Sequence, residues 1–117
     1  MRGVPEVWVH GNDELYNSLR GPCKNVIVLA SATSKQTKTD EPMAMVIAYG
    51  EGRIFHIPMG HVGGASDVES VLCVGFQTLL ARGTEYAATG EVSIAIPKEF
   101  PTAEAKSVLE PAKVSWN

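Results

Sequence analysis

The sequence predicts an α/β domain, on three observations. Residues 25–31, NVIVLAS, are apolar or small after the first position and rich in β-branched side chains, as in a strand covered on both faces. MAMVIAY and RIFHIPM flank Gly50-Glu51-Gly52, the pattern of a β-hairpin whose glycines supply the positive φ of a tight reversal. From residue 67 to about 88, Leu72, Phe76, Leu79 and Tyr86 fall along one stripe, as in a long helix.

Taken in chain order, VWVH at 7–10 reads as a short strand, and Asn12 as the N-cap of a two-turn helix over 13–20. In that helix Asp13 and Glu14 suit the positive end, Leu15, Tyr16 and Leu19 share a face, and Gly21-Pro22 ends it. The strand at 25–31 is expected inside the sheet, and 32–41, polar and lysine-bearing, as an exposed, mobile loop. Both hairpin arms are too apolar for a wet face, and Pro58, which cannot donate to a ladder, marks a strand end or an edge. Ser66-Asp67-Val68-Glu69 forms a capping box, so the long helix is expected to start at Asp67 and to stop at Gly90. Gly75 and Gly83 inside it each cost about 1 kcal/mol against alanine, which predicts close approach of a neighbouring element at both. VSIAI at 92–96 is a further strand candidate. Residues 98–117 read as an irregular tail in which Val108-Leu109 and Val114-Ser115-Trp116 dock as short extended segments.

The length, 117 residues, fits a single domain over 1–117. A formal net charge of −3 with 20% charged residues offers no electrostatic footprint for nucleic acid. No apolar run approaches the roughly 20 residues that cross a bilayer, and the first residues lack an apolar leader core, so a cytoplasmic protein without membrane contact is expected. Cys23 and Cys73 stand fifty residues apart in unlike contexts and read as buried free thiols.

Several ordered strings exceed what general physics demands: DELY, RGP, VIVLA, DEPM, YGEGRIFH followed by MGH, GFQTLLARGTEYAATGEV and IPKEFPT. Together, from about Val4 to Thr102, they resemble the C-terminal half of the ThuA-like family, trehalose-utilisation proteins whose fold is similar to class I glutamine amidotransferases. The resemblance implies part of an amidotransferase-like, flavodoxin-like sheet, α+β when taken alone, with a hairpin and one long packed helix. It also implies that the leading βαβ units of the family domain lie outside this sequence, so that the chain reads as a truncated or fragmentary member. The apolar surface such truncation would uncover predicts a homodimer or higher oligomer.

In that resemblance Gly60-His61 is similar in position to the strand that carries the general-base histidine of amidotransferases. A histidine just past a strand is held where loops converge, and its ordinary pKa lies near working pH. His61 is therefore the candidate catalytic residue, the alternative being an imidazole bonded to backbone that turns the chain. Where many relatives follow Gly-His with an aspartate, this chain has Val62, Gly63 and Gly64 before Asp67, so that role is either absent or carried by Asp67. Glu14 and Tyr16 of the DELY string join Asp67 as candidate substrate-binding residues for sugar hydroxyls, the alternative for Glu14 being a helix-terminal charge. His10 and His56 are weaker candidates, His56 reading as a core histidine between Phe55 and Ile57, and Arg53 reads as a surface ion-pair residue. No third ligand accompanies the histidines, so no metal and no cofactor is expected. Two functions compete: a carbohydrate-utilisation fragment without turnover of its own, and a sugar-binding or sugar-modifying subunit using His61 in a cleft completed by an oligomer partner.

Overall fold

The glycine-centred hairpin forms as its sequence requires. In the computed structural model, which describes residues 1–64 and 67–111, three strands make one antiparallel sheet of order β1-β2-β3: β1 Val26–Thr33, β2 Asp40–Tyr49 and β3 Gly52–His56. Tyr49 pairs with Gly52 across a two-residue turn in which Gly50 has φ 56°, a conformation open to glycine at little cost. β2 is the central strand, and Met43, Ala44 and Met45 are consecutively buried in it because both of its faces are covered. Pro42 is tolerated in this strand next to an irregularity: Ala30 pairs with Ala44 and Ser31 with Pro42, so Met43 is the extra residue of a bulge.

The other two strands are wetter than their composition suggests. β1 is an edge strand, with Ile27 63% and Val28 52% exposed, which corrects its expected place inside the sheet. Along β3 only Phe55 is half-buried, so that arm does have a wet face, and His56 is exposed rather than a core histidine. Residues 32–41 are no mobile loop: β1 and β2 run to Thr33 and from Asp40, and Ser34 and Glu41 close the turn between them. The Ser34 hydroxyl accepts from the N–H groups of Gln36 and Thr37, and the buried Glu41 carboxylate accepts from the Thr37 and Thr39 hydroxyls.

The long helix is broken once. Helix α1 spans Glu69–Leu72, Cys73 is extended (φ −64°, ψ 124°), and helix α2 spans Val74–Thr89 before stopping at Gly90. Cys73 instead bridges to Val108, and its neighbours Leu72 and Val74 pair by backbone with Leu109 and Ser107, so the tail takes a helical turn out of register. Ser66 of the expected capping box lies outside the described residues, as does Val114-Ser115-Trp116. α2 packs on β3, and both interior glycines sit at close approaches: a Cβ at Gly83 would lie 2.0 Å from Phe55 Cδ1, and one at Gly75 would lie 2.5 Å from Trp8 Cζ3. Among the described residues Arg53 makes no ion pair; it donates to the carbonyls of Tyr86 and Ala88, satisfying the C-terminal end of α2.

No regular element forms over 1–25 or 91–111. Among the described residues VWVH makes a single backbone bond, Val9 N–H to Thr102 O at 2.8 Å, and builds no ladder. VSIAI is likewise no strand: the Glu85 carboxylate accepts the N–H groups of Ser93 and Ile94, and Arg82 donates to the Ile94 carbonyl. The tail nonetheless contributes Phe100 and Pro101 to the core beside Cys73, Val74, Phe76 and Leu79. Cys73 is a buried free thiol as expected, whereas Cys23 is exposed. Among the described residues no helix is long and apolar enough to cross a membrane.

Candidate functional site

The segment expected as a helix over 13–20 is the wall of the site. Eight residues hold a helix in water only marginally, and this stretch finds better partners elsewhere. Asn12 N–H donates to Glu69 Oε1 at 2.7 Å, Ser18 takes φ 55°, and the Asp13 carboxylate is spent on the loop after β3 rather than on a helix end. Asp13 Oδ2 accepts from Gly60 N–H at 2.7 Å and Oδ1 from His61 N–H at 3.0 Å, which fixes the backbone that carries His61. The buried Ser70 hydroxyl donates to the His61 carbonyl at 2.5 Å. Gly60 has φ 91°, and a Cβ there would meet the Phe76 ring at 2.6 Å, so glycine is required on both counts.

His61 is thus held at its backbone while its ring remains reachable. The side chain is 38% exposed. Tyr16 Oη lies 2.9 Å from Nδ1, and Glu14 Oε2 lies 3.5 Å from the same nitrogen. A carboxylate only accepts while a phenol donates or accepts, so Nδ1 is satisfied in either tautomer, and among the described residues Nε2 makes no hydrogen bond. On that side stands Asp67: a Cβ at Gly63 would be 3.0 Å from Asp67 Oδ2 and 3.8 Å from His61 Nε2, so the glycine keeps open the space the two share. The structure therefore brings Glu14 and Tyr16 onto the His61 ring, whereas Asp67 lies across Gly63 without a hydrogen bond or ion pair to it.

Asp13, Cys73 and Glu69 escaped sequence reasoning, and His10 was among its weaker candidates. Asp13 looked like a helix-terminal charge, yet its side chain is 7% exposed and anchors Gly60 and His61. His10 donates from Nε2 to Asp13 Oδ2 at 2.9 Å, and its Nδ1 is buried without a hydrogen-bond partner. Burial lowers the His10 imidazole, but the neighbouring Cys73 thiol and Asp13 outweigh it and raise it above the ordinary value. Burial pushes the Cys73 thiol up, yet His10 and the nearby N–H groups of Phe76 and Gly11 bring it down to about 7. Only the crowding of Asp, Glu, His and Asn within 10–14 hinted at this in the sequence. Glu69 holds the segment in place by accepting from Lys106 Nζ at 2.6 Å as well as from Asn12, and those contacts keep its carboxyl below the usual range, Lys106 contributing most.

Neither a protein-family model nor a curated protein matches the chain. A crystal structure from Parabacteroides merdae, described as ThuA-like, is similar to it with 41% sequence identity and a TM-score of 0.86. The similarity covers 92% of this chain and 40% of that one, so the chain spans well under half of the solved relative. It supports the ThuA-like assignment that the sequence strings imply.

Proposed function

From the premise that this chain is similar in sequence and fold to a ThuA-like protein, we propose that Glu14, Tyr16, His61 and Asp67 line a binding cleft for a sugar. The observation that carries the reading is the convergence of Tyr16 and Glu14 on His61 Nδ1, with the Asp67 carboxylate across Gly63 from the ring. Each sugar hydroxyl both donates and accepts. A site of two carboxylates, a phenol and an imidazole supplies both kinds of partner, while the Tyr16 ring adds an apolar face. These side chains are half exposed, as ligand contacts must be before binding. We attribute binding and no turnover of its own to this chain, in keeping with a carbohydrate-utilisation role.

A sugar-modifying activity is the second reading, favoured by Nε2, which makes no hydrogen bond among the described residues and in the tautomer with hydrogen on Nδ1 accepts a proton from a bound hydroxyl. In that reading a partner completes the cleft and His61 is its base. The test is a thermal-shift panel of disaccharides and keto-sugars on the wild-type chain and on His61→Ala. A ligand at a hundred times its Kd stabilises by about 2.7 kcal/mol, a shift of several degrees that His61→Ala should abolish. No shift with any sugar would overturn the proposal.

A further inference from the structure

We propose that the groove between α2 and the sheet binds a small amphipathic carboxylate, whose apolar body lies on the strands and whose charged end meets Arg82 and Arg2. All three strands supply the floor: Ile27 and Leu29 from β1, Val46 from β2 and Phe55 from β3, with Leu79 of α2 facing them. The groove holds about 340 Å³, within the roughly 300–1,000 Å³ of small-molecule sites. Val46 belongs to the central strand, yet it is only half-buried where the groove passes over it. None of Glu14, Tyr16, His61 and Asp67 lines this groove, so the site is separate from the sugar cleft.

The charge at the rim selects the ligand. Arg82 is half-buried, and its guanidinium is fixed at two points, donating to the Ile94 carbonyl and to the Arg2 carbonyl at 2.9 Å. A guanidinium carries five N–H donors, so the remaining ones are held in a geometry that suits a carboxylate. Arg2 lines the groove beside it, and Arg53 packs at its end, where a Cβ on Gly90 would lie 3.4 Å from Arg53 Cζ. Against these three guanidiniums the groove walls carry one carboxylate, Glu91. Among the described residues none of the three arginines enters an ion pair. Glu85 lies within electrostatic reach of Arg82, but its carboxylate is taken up by the N–H groups of Ser93 and Ile94.

An apolar floor under a cationic rim favours an anion with an apolar body over a neutral or cationic ligand of the same shape. The floor side chains present only carbon, so a polyhydroxy or phosphorylated ligand would leave its polar groups unpaired there. A second copy of the chain pairing along β1 would lie in the plane of the sheet, whereas the groove lies on its face, so the two do not compete.

The test titrates the isotope-labelled full chain with octanoate, 1-octanol and octylammonium, each below its aggregation limit, and follows the amide resonances. Octanoate should shift Phe55, Leu79 and Gly83 while leaving His61 and Gly63 unmoved. It should bind about 10-fold tighter than 1-octanol, with octylammonium weaker than either. Arg82→Gln should bring octanoate down to the affinity of 1-octanol and leave 1-octanol unchanged. Arg2→Ala, at an exposed position, should weaken octanoate in the same direction, and it reads the rim charge should Arg82→Gln fold poorly. Equal affinity for the three probes, or shifts confined to other residues, would overturn the proposal. So would the absence of any shift, whether the groove stays empty or a second copy covers it.

Discussion

Gly83→Ala sets two known effects against each other at one atom. In an exposed helix interior the added methyl stabilises by about 1 kcal/mol. Here the new Cβ would stand 2.0, 2.2 and 2.3 Å from Phe55 Cδ1, Cε1 and Cγ, against the roughly 3.5–4.0 Å at which carbon atoms rest. The ring or the helix must retreat by about 1.5 Å, and over-packing of that kind costs about 1–3 kcal/mol. A groove of about 340 Å³ that Phe55 lines with Leu79 and Tyr86 lets the ring yield in part, which places the cost at the upper end of that range rather than beyond it. The net is a loss of about 2 kcal/mol, or a fall in Tm of about 10 °C. In a Phe55→Ala background the same substitution meets no ring and should stabilise by up to about 1 kcal/mol. Urea denaturation of the four chains measures the coupling, expected near 3 kcal/mol. A stabilising Gly83→Ala in the parent chain, or an equal effect in both backgrounds, would refute the packing of α2 on β3 described above.

Two other outcomes are expected. Asp13→Asn leaves one acceptor oxygen where two now serve the N–H groups of Glu14, Gly60 and His61 and the His10 ring, and should cost about 2–3 kcal/mol, with large shifts of the Gly60 and His61 amide resonances. Unmoved amide resonances would count against that anchoring. β1, VIVLASAT, is an edge without charge or proline and with Ile27 and Val28 exposed, so the chain should sediment as a dimer at micromolar concentration and Ile27→Lys should release monomer. A compact wild-type monomer would contradict it.

Legibility in the sequence followed the range of the forces involved. The hairpin turn, the stop at Gly90 and the close approaches at Gly75 and Gly83 were readable, because a glycine in such a place reports its own local constraint. The strand at 7–10, the helix at 13–20 and the strand at 92–96 did not form, because their backbone groups are taken by distant partners: Thr102, Glu69 and Glu85. The break at Cys73 belongs to the same class, since it depends on Ser107 and Leu109, more than thirty positions away. In β1, β-branched composition signalled a strand but not which side of the sheet lacks a neighbour. At the site, the four candidates were legible through a resemblance to a known family. Asp13 and its bonds to His10 and to the loop at 60–61 were not, since only the fold brings position 13 to positions 60 and 61.

Asp13 leaves little latitude for sequence drift. Its two oxygens are shared by four donors, three from main chain and one from an imidazole, at 2.7 to 3.0 Å. Glutamate would keep the charge but carry it a methylene too far, asparagine would turn a donor toward donors, and serine would reach only part of the set. Because His10 and the loop bearing His61 lean on the same carboxylate, neither can be retuned at position 13 without disturbing the other. A chain that needed to adapt one of them would have to change somewhere else.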